Sequence, residues 1–220
     1  MGSDWTWSLH LPSGSLTPDL LSRLLAMATA AGFPPERPDG AINGFAADDG
    51  ECCVLDRHGL VAGLADGTCH TNLWDASKID VRLGTDPSSD VVDMILDSGN
   101  TWRLPTPEAD PYRRLHRRLT DLWLAMAEEF GATVGLVQDE WSVEQVRHLP
   151  PRTLGWWTYL DAEHYERVPP LPPEADVRRT PRGAAVIALL DDPASVDVLA
   201  FERFHQGRHQ GSGEVATRAP

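Results

Sequence analysis

Five soft or borderline metal ligands fall close together in the sequence: Cys52, Cys53, His58, Cys69 and His70. Zinc needs three or four convergent ligands, and its strongest sequence sign is a pair of Cys-x2-Cys knuckles. Here two adjacent cysteines are followed by four residues, a histidine, ten more residues and a Cys-His pair, so the knuckles are missing. Adjacent cysteines on a strand also point to opposite faces. The spacing therefore favours structural thiols, one buried and one partly exposed, behaving as small hydrophobes. Three cysteines, two of them adjacent, make a poor disulfide framework and fit a reducing compartment.

Asp48, Asp49 and Glu51 could serve general acid and base chemistry or hold a hard cation, but Gly50 among them points to a solvated β-turn. The sequence has no G-x-S-x-G elbow, H-E-x-x-H helix, phosphate-cradling G-x-x-x-x-G-K loop or G-x-G-x-x-G after a strand. His116 sits between pairs of arginines and reads as a partly exposed surface residue, while His164, His205 and His209 have no carboxylate or cysteine at a telling spacing. The expectation is a protein that is not an enzyme and takes no metal or cofactor.

Charge directs attention to partners. The formal charge of −14 repels the phosphates of nucleic acids and anionic membrane surfaces, and favours a basic protein partner. Residues 36–97 hold thirteen acidic residues against four basic ones, which singles out Asp48, Asp49, Glu51, Asp90, Asp93 and Asp97 as candidate partner contacts. A second candidate is the aromatic set Trp141, Trp156, Trp157, Tyr159 and Tyr165, with Asp139, Glu140 and Glu144 beside it. Tryptophan and tyrosine concentrate binding energy at interfaces, although core packing is the commoner use. On a strand Trp156 and Trp157 face opposite ways, so one can be core and Trp157 can join Trp141 at an interface.

The elements that must position these groups follow from periodicity. Trp5, Trp7, Leu9 and Leu11 alternate with polar residues as a half-buried strand does. Thr17-Pro18-Asp19 supplies a cap, an N1 proline and a first-turn acid for a helix whose stripe runs from Leu20 through Ala31 to Gly32. Short apolar segments at 41–46, 51–56, 60–65 and 78–83 read as an antiparallel meander, and 91–96 with 101–104 as a hairpin, although the spacing of Asp90, Asp93 and Asp97 also fits a short helix. A long helix starts at Thr106-Pro107 and carries Tyr112, Leu115, Leu119, Leu122, Trp123, Met126 and Phe130 on one stripe. Strands at 133–137 and 154–160 flank a short helix capped by Ser142. A proline-rich connection leads to a hairpin of 177–180 with 184–190, and a last helix begins near Pro193.

The pattern predicts one α+β domain over 1–206, a mixed or antiparallel sheet packed with about four helices, and a disordered tail over 207–220. The start of the chain has no basic and apolar leader, and the longest apolar run, Ala184 to Leu190, is far too short to span a bilayer, so a cytoplasmic protein is expected.

The last third has a further pattern. Leu154-Gly155-Trp156-Trp157-Thr158-Tyr159-Leu160, the proline-rich Val168 to Pro173, Val177 to Thr180, Gly183 and an apolar strand ending at Leu190-Asp191-Asp192-Pro193 follow in that order. Over roughly 135–206 this resembles the immunity protein 52 family of bacterial polymorphic toxin systems. The resemblance implies an α+β protein that binds and neutralises a cognate toxin, in that family often a restriction-endonuclease-like nuclease. An acidic inhibitor could occupy a cationic nuclease groove as a phosphate mimic. The alternative expectation is a small cytosolic enzyme or ligand-binding protein with a Trp-lined pocket.

Overall fold

Local signals place the elements of the computed structural model, which describes residues 4–97, 110–139, 154–168, 171 and 175–188. The strands are β1 (Asp4–His10), β2 (Ile42–Ala46), β3 (Cys52–Leu55), β4 (Cys69–Trp74), β5 (Asp80–Asp86), β6 (Val91–Asp97), β7 (Val134–Asp139), β8 (Trp157–Leu160), β9 (Asp176–Arg179) and β10 (Ala185–Ala188). The helices are α1 (Pro18–Ala30), α2 (Arg57–Asp66), α3 (Asp110–Phe130) and a short α4 (Ala162–Glu166). All ten strands form one antiparallel sheet in the order β3-β2-β4-β5-β6-β1-β7-β8-β10-β9. The fold is a single α+β domain.

Thr17 and Pro18 start α1 as their types dictate: the Thr17 hydroxyl accepts from the Leu20 N–H at 3.3 Å, and proline occupies a position whose N–H would have no partner. Leu21, Leu24, Leu25 and Ala28 turn inward. The stripe of α3 buries Leu115, Leu119, Leu122, Trp123 and Met126 against the sheet. Two indoles fix α3 over β1. Trp7 Nε1 donates to Thr120 Oγ1 at 3.0 Å, and Trp123 Nε1 donates to the Ser8 carbonyl at 2.9 Å. A buried indole N–H without an acceptor is costly, so these bonds set the helix position as well as its packing.

One face of the sheet meets α1, α2 and α3. It carries Trp5, Trp7 and Leu9 of β1, the paired Leu96, Met94 and Val92 of β6, and Leu83, Leu73 and Val137 further out, all buried. The opposite face divides in two. Under β7, β8 and β10 a smaller core of Val134, Leu136, Leu154, Leu160 and Ile187 is covered by Tyr165, Val168, Leu171 and Ala175. Over β4, β5, β6 and the first half of β1 it presents a row of polar groups instead.

Four expectations are corrected. Residues 60–65 are helical: Asp56 Oδ1 accepts from the Gly59 N–H at 2.7 Å, Gly67 closes the helix in the left-handed conformation at φ 66°, and Leu60, Val61 and Leu64 are the buried side of α2. The hairpin partner of β6 is β5 on one side and β1 on the other, and residues 101–104 lie outside the described residues. Cys52 and Cys53 are both exposed, because β3 is the edge of the sheet; the buried cysteine is Cys69. His116 is 2% exposed, not a surface group. Its ring lies 4.5 Å from that of Trp5, 4.8 Å from Trp7 and 5.2 Å from Trp157. The helices expected at Ser142 and Pro193 and the tail at 207–220 fall outside the described residues.

Candidate functional site

Two-residue alternation along neighbouring strands builds a site on the polar part of the sheet's second face. Asp4 of β1 stands opposite Asp97 of β6, Ile95 opposite Arg82 of β5, Arg82 opposite Asn72 of β4, and His70 opposite Phe45 of β2. Together with Asp80 these eight residues line a cavity of about 420 Å³. Asn72 Nδ2 donates to Asp80 Oδ2 at 2.7 Å, which holds that carboxylate at the rim. The His70 and Phe45 rings stack at 5.3 Å and 11°, forming the aromatic wall. Burial lowers the His70 pKa from its ordinary value, and the Arg82 guanidinium lowers it further, so the ring is neutral at physiological pH.

Asp93 belongs to the same face, between Ser8 of β1 and Gly84 of β5. Burial raises its pKa to about 6, Asp86 pushes the same way, and Arg82 opposes them. A carboxyl poised near neutrality under the influence of Arg82 and Asp86 can change charge when a cation or a basic side chain approaches. The site as a whole offers carboxylates at its rim, one guanidinium, and an aromatic wall. Such groups bind cationic and planar groups.

The sequence-derived candidates occupy separate places. Asp48, Asp49 and Glu51 lie on the exposed β2–β3 turn, where Asp48 Oδ1 accepts from the Asp49 N–H at 3.0 Å and Asp49 Oδ1 from the Glu51 N–H at 2.9 Å. Asp90 adopts φ 51° in the β5–β6 turn, and its two oxygens accept from the Gly14 and Ser15 N–H groups at 3.0 and 3.1 Å. It is a tether for the β1–α1 loop. Asp93 and Asp97 are both on β6, roughly 14 Å apart at the rise of an antiparallel strand, and Asp90 precedes it. Only Asp97 lines the cavity, with Asp93 on its face.

The aromatic candidates go mostly inward. Trp156 and Tyr159 are buried, and the half-buried Trp157 packs on the main core. Asp139 ends β7, and Glu140, Trp141 and Glu144 lie outside the described residues. His164 does have a carboxylate at helical spacing: its Nδ1 is 2.7 Å from Asp161 Oδ1, and Asp161 is also the N-cap of α4. Asp4, Phe45, His70, Asn72, Asp80 and Arg82 were not singled out together, because only the pairing of four strands brings them to one place.

Among the described residues no group of three or more His, Cys, Asp or Glu side chains is arranged to hold a metal. His58 lies in the first turn of α2, and Cys69 and His70, adjacent on β4, face opposite sides of the sheet. No helix among the described residues is long and apolar enough to cross a membrane. The class defined is an α+β domain with a ten-stranded antiparallel sheet, α1, α2 and α3 on one face and α4 on part of the other. The chain matches no family model and no curated protein sequence.

Proposed function

We propose that this chain acts in the cytoplasm by binding another protein, as an immunity protein that neutralises a cognate toxin by contact and without catalysis. The observation that supports this reading best is the polar part of the sheet's second face, where, among the described residues, Asp4, Asp80 and Asp97 line a cavity with Arg82 and Asp93 lies on the same face of the antiparallel frame. A negatively charged face on a chain of charge −14 draws in a basic partner and fixes its orientation. A nuclease toxin with a cationic substrate groove is the partner of matching chemistry.

The test is a pull-down from the cells that make the chain, at low and moderate salt, with each recovered protein assayed for toxicity in the presence and absence of the chain. Recovery of a basic toxic protein whose activity the chain abolishes supports the reading. A panel of recovered proteins with no toxicity, or toxicity unaffected by the chain, refutes it. A second reading, small-ligand binding, is favoured by the cavity itself. Its aromatic wall is the Phe45–His70 stack; of the described tryptophans, Trp5, Trp7, Trp123 and Trp156 are packed in the core, and the partly buried Trp74 and Trp157 do not line it.

A further inference from the structure

The two edges of the sheet are built differently. At one end β9 reads Asp176-Val177-Arg178-Arg179, and three of its four side chains are charged and exposed. Charged residues on an outermost strand discourage another strand from adding. At the other end β3 reads Cys52-Cys53-Val54-Leu55, with no charge, no proline and no bulge. Val54 is 72% exposed, twice the 36% of Val177, and both cysteines are exposed. A short apolar edge in this state is a template for strand addition.

We propose that β3 is a docking edge for a second copy of this chain, which adds antiparallel to it about a two-fold axis and makes one continuous sheet of twenty strands. The register follows from the ladder. The Ala46 N–H donates to the Glu51 carbonyl at 3.0 Å, and Gly44 is the partner of Cys53 and Ile42 of Leu55. Hydrogen-bonded and non-hydrogen-bonded pairs alternate in an antiparallel ladder, so Glu51, Cys53 and Leu55 direct their backbone groups to β2. Cys52 and Val54 direct theirs outward. Only one two-fold register uses all four of these outward groups: Cys52 of each copy opposite Val54 of the other, which places the two Cys53 residues face to face at the axis.

Other features fit the same arrangement. Covering Val54 against the other copy's Cys52 removes exposed apolar surface from water. Antiparallel pairing also runs the acidic turn of Asp48, Asp49 and Glu51 alongside the end of the other strand, where Arg57, held by Glu36 at 2.7 Å, begins α2 after the cap Asp56. Opposing this, each copy carries a charge of −14, so association must strengthen as salt screens the repulsion. At the axis, Cα atoms of a non-hydrogen-bonded pair stand about 4.5 Å apart, within the span of a disulfide. Cys53 Sγ now rests 3.6 Å from the Gly44 carbonyl oxygen, and a χ1 rotation turns it toward the axis.

Sedimentation velocity of the full chain under reducing conditions, from low to high micromolar concentration and at low and moderate salt, tests the pairing. The expected result is a monomer–dimer equilibrium that shifts toward dimer with concentration and with salt. Val54→Lys should weaken the dimer at least about tenfold, the equivalent of a single lost apolar contact at an interface, and Val177→Lys on the other edge should leave it unchanged. Diamide then provides a second readout: it takes two protons and two electrons from two Cys53 thiols, forming the disulfide and the reduced hydrazine compound. The cross-linked dimer should persist in Cys52→Ser and disappear in Cys53→Ser. A chain that stays monomeric throughout, a dimer indifferent to Val54→Lys, or a cross-link carried by Cys52 overturns the proposal.

Discussion

Acidifying the protein should weaken it through one residue, His116. The ring is wholly enclosed by Trp5, Trp7 and Trp157, and burial holds its pKa down at about 3, with Arg117 adding to the effect, against 6.5 in an open chain. Between those values the unfolded chain binds a proton at this ring and the folded chain does not, so stability is intact above pH 6.5 and falls as pH drops toward 3. At about 1.4 kcal/mol for each pH unit, the loss from His116 is about 2 kcal/mol by pH 5 and about 4 kcal/mol at pH 3, toward a limit of about 5 kcal/mol below it. Against a typical total of roughly 5–15 kcal/mol, this is a large share.

Urea unfolding at pH 7, 6 and 5, for the natural chain and for His116→Leu, isolates the contribution. His10 and His70, whose pKa values burial also lowers, and Asp93, whose pKa burial raises, are present in both proteins and cancel in the difference. The natural chain should lose about 2 kcal/mol more than the variant between pH 7 and 5. His116→Phe, which keeps a ring in the cage, should give the same flattened profile even where Leu packs poorly. A difference that stays constant across this pH range would refute the reasoning.

Other expectations concern backbone space and charge. Gly155→Ala should cost about 3 kcal/mol or more in thermal or urea unfolding, since a Cβ there would lie 2.6 Å from the Val137 carbonyl oxygen and 3.0 Å from that of Trp157, backbone atoms that cannot swing aside. Asp90→Ala should cost about 1–2 kcal/mol by freeing the Gly14 and Ser15 N–H groups, while leaving toxin or partner affinity unchanged in a titration. Asp93→Asn should raise stability at pH 7.5 and not at pH 4, because the folded state penalises only the ionised carboxylate; equal effects at both pH values would contradict the burial of that group. Asp80→Lys reverses charge at the exposed rim of the cavity, and should slow association with a basic partner at low salt by about tenfold, measured by stopped flow or surface binding.

Much of the frame can be read from residues. Thr17-Pro18 marks the start of α1, the alternation of Trp5, Trp7 and Leu9 marks β1, and the stripe through Leu115, Leu119, Leu122 and Met126 marks α3. The misread parts have physical causes. In α2 the apolar residues Leu60, Val61 and Leu64 are too few to distinguish a helical stripe from a strand, and the decisive signs were the Asp56 cap and Gly67. In β4 a threonine, Thr71, takes a fully buried position by giving its hydroxyl proton to the Asn43 carbonyl at 2.7 Å, which hides the alternation of Cys69, Thr71 and Leu73. His116 lies four residues after Tyr112 and three before Leu119, on the apolar stripe of α3; the neighbouring arginines obscured that spacing. The cavity residues could not be grouped without strand pairing, because Phe45, His70, Arg82 and Asp97 become neighbours only through three registers.

The position of β1 bears on how the chain comes to be made. It is the earliest strand in the sequence, yet it lies inside the sheet, with Trp5 paired to Leu96 on one side and to Asp139 on the other. As synthesis proceeds from the N-terminus, β1 leaves the ribosome with neither neighbour in existence, exposing Trp5 and Trp7 until residues 91–97 and 134–139 have followed. The two halves of the sheet can be joined only by closing these long loops, which makes maturation slow compared with a helical protein of the same size. Chaperone demand during synthesis should therefore fall on the nascent segment before β7 is complete.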